Sequence, residues 1–192
     1  MLSKIATAFI LLSLISPLTL AQDTKWLYPQ PYSTGFNLLT GEKFYNISET
    51  NKEVIFTVGI KDIPSRWLTK CYQKEDKGIL VPTCMVQNIS TNTDKKSIVV
   101  LIDKDKNTVI FEPIVVVEVN YKVDKNPIIS LDKYYFLTPL IQNKILKDLL
   151  VGDNVIYSYK TEKSKNYQTN KVALTGFKEN MEFAKKFVQF NY

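Results

Sequence analysis

Glu112 and Glu118 are the acidic residues of this chain that lie inside strongly apolar runs, six positions apart within Thr108–Val119. Two carboxyl groups about 5 to 10 Å apart in a cleft, one kept protonated by its surroundings, can hydrolyse a glycosidic bond. On one strand, side chains six residues apart share a face, unless a bulge at Pro113 turns one of them aside. A glutamate on the solvent face of a strand explains each residue more simply. An envelope hydrolase, or an inhibitor of one, therefore stands as an alternative function. Histidine is absent. Its absence removes the usual general base and zinc ligand near neutral pH, and with them the Ser-His-Asp and Cys-His hydrolases.

Three further groupings bear on chemistry. Asp103-x-Asp105-x-Asn107 has the spacing of the first three ligands of a calcium loop. Thr108 stands where that loop needs glycine and Ile114 where it needs a bidentate glutamate, so a hairpin turn is expected and no metal site is assigned. Tyr157, Tyr159 and Tyr167 interleave with Lys160, Lys163 and Lys165, a combination able to stack on single-stranded nucleic acid. Tyrosines on a half-exposed strand beside a solvated lysine loop account for the same residues, and no nucleic-acid partner is expected. Cys71 and Cys84 are thirteen apart, without a Cys-x-x-Cys spacing or a histidine to activate a thiol. In an oxidising compartment they are expected to pair, and closing a loop of that size contributes about 3 kcal/mol in the chain-entropy model. No catalytic, cofactor-binding or metal-binding residue is assigned, and no cofactor is expected.

The compartment is suggested by residues 1–21. Lys4 forms a basic start, Ile5 to Leu20 an apolar run, and Thr19 and Ala21 the small-residue end of a secretory signal peptide cut before Gln22. A periplasmic or secreted protein is expected, with no integral membrane segment after cleavage, because no later run holds about 18 consecutive apolar residues. The remaining chain of roughly 170 residues fits a single domain. The net charge of +6 is spread along the chain and favours weak attraction to anionic surfaces.

Pro29, Pro31, Gly35 and Gly41 mark residues 22–50 as an irregular or short-element lead-in, followed by one β-rich domain over 51–192. Strands are expected at Val54–Ile60, Arg66–Gln73, Leu80–Gln87, Ser97–Asp103, Thr108–Val119, Tyr121–Val123, Ile129–Phe136, Val155–Lys160 and Thr169–Leu174. Thr138-Pro139 opens a helix that Gly152 closes, and a second helix starts near Gly176-Phe177. The fold class is mainly β (α+β), a sandwich or barrel-like domain with two packed helices. The alternating tail Phe187–Tyr192 looks like the last strand of an outer-membrane barrel, which gives a small barrel as a further alternative.

Trp67 precedes Cys71 by four residues, then come Cys84, a hairpin, the run Pro113 to Val119, Asp124, the helix ending at Val151-Gly152, and Val172-Ala173-Leu174-Thr175-Gly176-Phe177 leading into the last helix. This order resembles the invasion-associated locus B family of exported bacterial proteins over Arg66 to Phe187. Members commonly carry a second cysteine pair before the first helix, where this chain has Leu131 to Leu137 without cysteine. The resemblance implies a small β-rich periplasmic or surface protein with no established catalytic residues, and some members are linked to host-cell entry. The expected function is that of a non-enzymatic exported protein binding a protein or envelope component, the host-cell surface included, through a basic, aromatic-bearing surface.

Overall fold

Apolar and polar residues alternate along most of the strands, and one face of each helix is apolar, so both kinds of element need a partner layer to bury them. A computed structural model describes residues 26–27, 38–40, 43–50, 53–60, 63–88, 98–112, 117–164 and 166–192. Residues 1–21, expected to form a signal peptide, and the expected cut before Gln22 lie outside these residues, as does Pro113. Strands β1 (Leu38–Thr40), β2 (Lys43–Glu49), β3 (Glu53–Ile60), β4 (Ile63–Asp76), β5 (Ile79–Asn88), β6 (Ile98–Ile102) and β7 (Asn107–Phe111) form an antiparallel seven-stranded sheet in chain order. Strands β8 (Glu118–Val123), β9 (Ile129–Asp132), β10 (Asn154–Lys160) and β11 (Gln168–Ala173) form a second antiparallel sheet, ordered β11-β10-β8-β9. Helices α1 (Pro139–Val151) and α2 (Phe177–Asn191) complete the domain. Among the described residues, no helix is long and apolar enough to cross a membrane.

The architecture is an open sandwich, as one side of the sequence expectation had it; neither sheet closes into a barrel. On the inner face of the large sheet Val54, Phe56, Val58, Trp67, Cys71, Cys84, Val86 and Val100 are buried under α2. Phe183 of α2 stacks on Phe56 with centroids 4.2 Å apart, Phe177 meets Trp67 at 4.6 Å, and Phe187 meets Trp26 at 5.2 Å. The Asn191 amide exchanges hydrogen bonds with the Leu27 backbone, 2.8 and 2.7 Å, and ties the lead-in to the end of α2. Phe111 brings the second sheet in, packing against Tyr157 at 5.1 Å, Tyr121 at 5.6 Å and Tyr135 at 5.9 Å.

Residues 38–40 and 43–49 of the lead-in are short strands that extend the large sheet. Three local expectations are corrected. The run Thr108–Val119 is not one strand: β7 ends at Phe111 and β8 begins at Glu118 in the other sheet. The strand expected to reach Phe136 stops at Asp132, and a short 3-10 turn, Tyr135–Leu137, leads into α1. The tail through Asn191 belongs to α2 and not to a strand, because its apolar residues continue the helical stripe of Met181 and Ala184.

The free edge of β7 is completed by side chains. The Val109 N–H donates to Gln142 Oε1 of α1, the Phe111 N–H donates to the Tyr135 hydroxyl at 2.7 Å, and Gln142 Nε2 donates to the Tyr135 carbonyl at 3.1 Å. Satisfying buried donors in this way avoids a cost of about 1–3 kcal/mol each.

Gly152 ends α1 as expected, but for reasons of space. Its φ of −94° suits any residue. An added Cβ would lie 2.0 Å from Val123 Cγ1 and 3.1 Å from Asp124 Oδ2. Asp124 needs that proximity, since its carboxylate accepts the N–H groups of Asp153 at 3.0 Å and Asn154 at 2.8 Å. Gly152→Ala is expected to lose about 1–3 kcal/mol through overpacking. Urea unfolding checks this, and an unchanged midpoint would show that Val123 yields without cost.

Candidate functional site

Cys71 and Cys84 are directly opposite in the β4–β5 ladder, with Cα atoms 4.0 Å apart, and they form a fully buried disulfide. Their position explains the staple. β3 pairs with β4 only as far as Tyr72, and β6 pairs with β5 only as far as Cys84. Beyond that point Gln73–Asp76 and Ile79–Pro82 run on as a two-stranded arm. An isolated hairpin is marginal in water. This one is clamped at its base by the disulfide and at its tip by Lys77 and Gly78, whose φ values of 51° and 80° make the primed turn that suits strand twist. Ile79 and Leu80 are exposed at the tip.

The sequence candidates for chemistry are engaged in the fold. Glu112 and Glu118 do not share a strand: one follows β7 and the other opens β8 in the second sheet. Glu118 accepts the Tyr167 hydroxyl at 2.6 Å and Asn120 Nδ2 at 3.3 Å. The Asp103 carboxylate closes the β6–β7 turn, accepting the N–H groups of Asp105 at 3.1 Å and Lys106 at 2.8 Å. That is the hairpin expected of the Asp-Lys-Asp-Lys-Asn run. Lys165 lies outside the described residues.

Tyr157 and Tyr159 are buried rather than half-exposed, because β10 turns them onto the inner face. The Tyr157 hydroxyl faces the Glu112 carbonyl at 3.4 Å, and the Tyr159 hydroxyl donates to Gln168 Oε1 at 2.6 Å. Burial pushes the Tyr135 hydroxyl up to about 12 and that of Tyr157 well above the usual tyrosine range. Tyr121 is raised by burial and further by its 2.9 Å bond to Asp148. These hydroxyls stay protonated at ordinary pH; those of Tyr121 and Tyr157 donate within the fold, and that of Tyr135 accepts the Phe111 N–H. Tyr157 and Tyr159 therefore present no aromatic surface on β10.

What the alternation rule missed is the outer face of the large sheet. Leu68 lies across from Gln87, Val99 and Ile110, and the next row is Lys70, Met85 and Leu101. Ile55 pairs with Lys70 on the same face. Leu68, Met85, Leu101, Ile110 and Ile55 are half-buried, and none joins the core cluster. Among the described residues no helix packs over them, since α2 occupies the opposite face. The Lys70–Glu53 ion pair borders the row. A signal was present in β6: Ile98 to Ile102 is an unbroken apolar run, the pattern of a strand that is apolar on both faces. The outer face of the small sheet differs, with Lys122 and Lys171 flanking Ile156 beside Asn120, Ser158 and Thr169.

Comparison with known proteins finds no family model, no curated protein and no solved structure that matches the chain.

Reducing the disulfide is expected to lower stability by about 3 kcal/mol, seen as a fall in Tm when reductant is added. Mass analysis of the unreduced chain should show it two hydrogens lighter than the reduced form, and a count of two free thiols would refute the staple. Alkali gives a separate test. The tyrosines bind their protons more tightly when folded, so stability holds below about pH 10 and declines as pH rises through that value toward the folded pKa values. A pH titration of denaturant midpoints reads this directly, and a flat profile above that pH would show these hydroxyls to be solvated.

Proposed function

We propose that this is an exported, non-enzymatic binding protein of the bacterial envelope or cell surface, and that it meets a protein partner through the outer face of the seven-stranded sheet. The observation that carries the proposal is the patch of half-buried apolar side chains, Leu68, Met85, Leu101 and Ile110, on that face. Contiguous apolar surface of this kind marks protein interaction sites. An apolar centre bordered by the Lys70–Glu53 pair matches the usual anatomy of an interface, with a dry middle and a polar rim.

Three further points support the proposal. The signal-like residues 1–21 favour export, and the Cys71–Cys84 disulfide suits an oxidising compartment. Two of the residues behind the resemblance to invasion-associated locus B proteins pack together, Trp67 lying on Phe177 four residues before Cys71 of the disulfide. Membership of that family, and a part in host-cell contact, are proposed on that support. Finally, Glu118, one of the two carboxylates that sequence spacing offered for catalysis, is held by Tyr167 and Asn120, and its supposed partner Glu112 follows a strand of the other sheet.

Leu101→Lys and Met85→Lys place an unpaired charge in the proposed contact while leaving the α2 face untouched. Each is expected to reduce capture of the protein by envelope or host-cell surface fractions at least about tenfold, with thermal unfolding little changed. Parent protein that binds neither fraction above background would sink the proposal, as would lysine variants that bind like the parent. Size-exclusion chromatography of parent and variants separates a foreign partner from a second copy of the chain.

A further inference from the structure

The solvent face of α1 carries a pattern that neither the core nor the apolar sheet face uses. Leu140, Lys144, Lys147 and Val151 follow one another at i, i+4, i+7 and i+11 and so fall within an arc of about 60°. Leu140 is 80% exposed and Val151 78% exposed, with both lysines exposed between them. The seam is about 16 Å long. At its leading end Tyr134 and Leu137 are also exposed, and Lys133 Nζ lies 5.0 Å from the centre of the Tyr134 ring. Asp148, the one carboxylate on α1, is half-buried and holds the Tyr121 hydroxyl. No acidic side chain of the helix therefore faces outward beside the lysines; Asp153 lies past its end.

We propose that this seam seats the protein on an anionic lipid bilayer. The tips of Leu137, Leu140 and Val151 enter the headgroup boundary while Lys144 and Lys147 meet lipid phosphates. Single exposed apolar side chains are ordinary on a protein surface. Here they are collinear with lysines along one helix, so that apolar tips and cations are presented to the same surface. An acidic protein would satisfy the lysines but leave the apolar tips without a role. An apolar partner would strand the lysines. A negatively charged bilayer takes both, and the net charge of +6 acts in the same direction. The proposal concerns elements remote in sequence from the apolar sheet face and does not depend on it.

The test is flotation of the purified protein with vesicles of phosphatidylcholine alone and of phosphatidylcholine mixed with phosphatidylglycerol. The protein is expected to float with the mixed vesicles and not with the neutral ones. Lys144→Glu and Leu140→Asp should each weaken that binding about fivefold or more, with unchanged circular dichroism because both sites are exposed. Lys122→Glu, on the four-stranded sheet, and Leu101→Lys should float like the parent. The proposal is overturned if both vesicle types, or neither, carry the protein up. It is equally overturned if the seam variants bind as the parent does, or if Lys122→Glu loses as much as Lys144→Glu. Loss of partner capture by Leu101→Lys with flotation intact distinguishes failure of one proposal from failure of the other.

Discussion

The fold depends on one side chain more than any other, Trp67. It lies on β4 in the middle of the large sheet, packs its ring against Phe177 at the start of α2, and donates its Nε1 hydrogen to the Ala173 carbonyl of β11 at 2.9 Å. Sheet, helix and second sheet thus meet at a single fully buried residue. The backbone around it is shaped to allow this. Gly176, at a φ of 84°, turns β11 directly into α2, a conformation that side chains resist. Two positions along β4, Thr69 donates to Asn180 Oδ1 at 2.8 Å, and Asn180 Nδ2 holds the Gly176 carbonyl at 2.7 Å. A buried polar chain of this kind fixes the helix in rotation on the sheet, where apolar packing alone would tolerate several settings.

Much of this arrangement was legible from residue types. The α1 boundaries followed from Thr138-Pro139 and Gly152, the second helix from its apolar stripe, and the disulfide from two cysteines without an activating neighbour. Pro29, Pro31, Gly35 and Gly41 marked a broken lead-in; the strands at 38–40 and 43–49 fit into it because each pairs with its neighbour in sequence, β1 with β2 and β2 with β3. Thr108–Val119 read as one strand that Pro113 would break or bulge, and nothing local says that its two ends belong to different sheets. The apolar outer face was hidden for a related reason: β6 is apolar at consecutive positions, and a run of that kind does not say whether the second face has a partner.

Burial also redistributes the polar chemistry of the chain. Tyr157 and Tyr159, which looked like a surface platform, are buried and donate to a carbonyl and an amide oxygen, while Tyr167 reaches Glu118 at the surface. The exposed character of the protein is set instead by strand faces and by one side of α1. Its surface is thus divided into regions of different polarity: apolar on the large sheet, hydroxyl- and lysine-bearing on the small one, and mixed along the helix.

The latch on β7 limits how such a protein can associate. An uncovered edge strand offers a row of donors and acceptors to any other chain, and a long antiparallel sheet repeats that offer at each end. At the β7 end, Gln142 and Tyr135 take the place of an eighth strand, presenting an amide and a hydroxyl where a neighbouring backbone would be. The sheet is therefore terminated from within, and copies of the chain cannot polymerise by simple strand addition there. Association at that end has to proceed through faces, whose side chains can discriminate between partners, rather than through a backbone ladder that cannot.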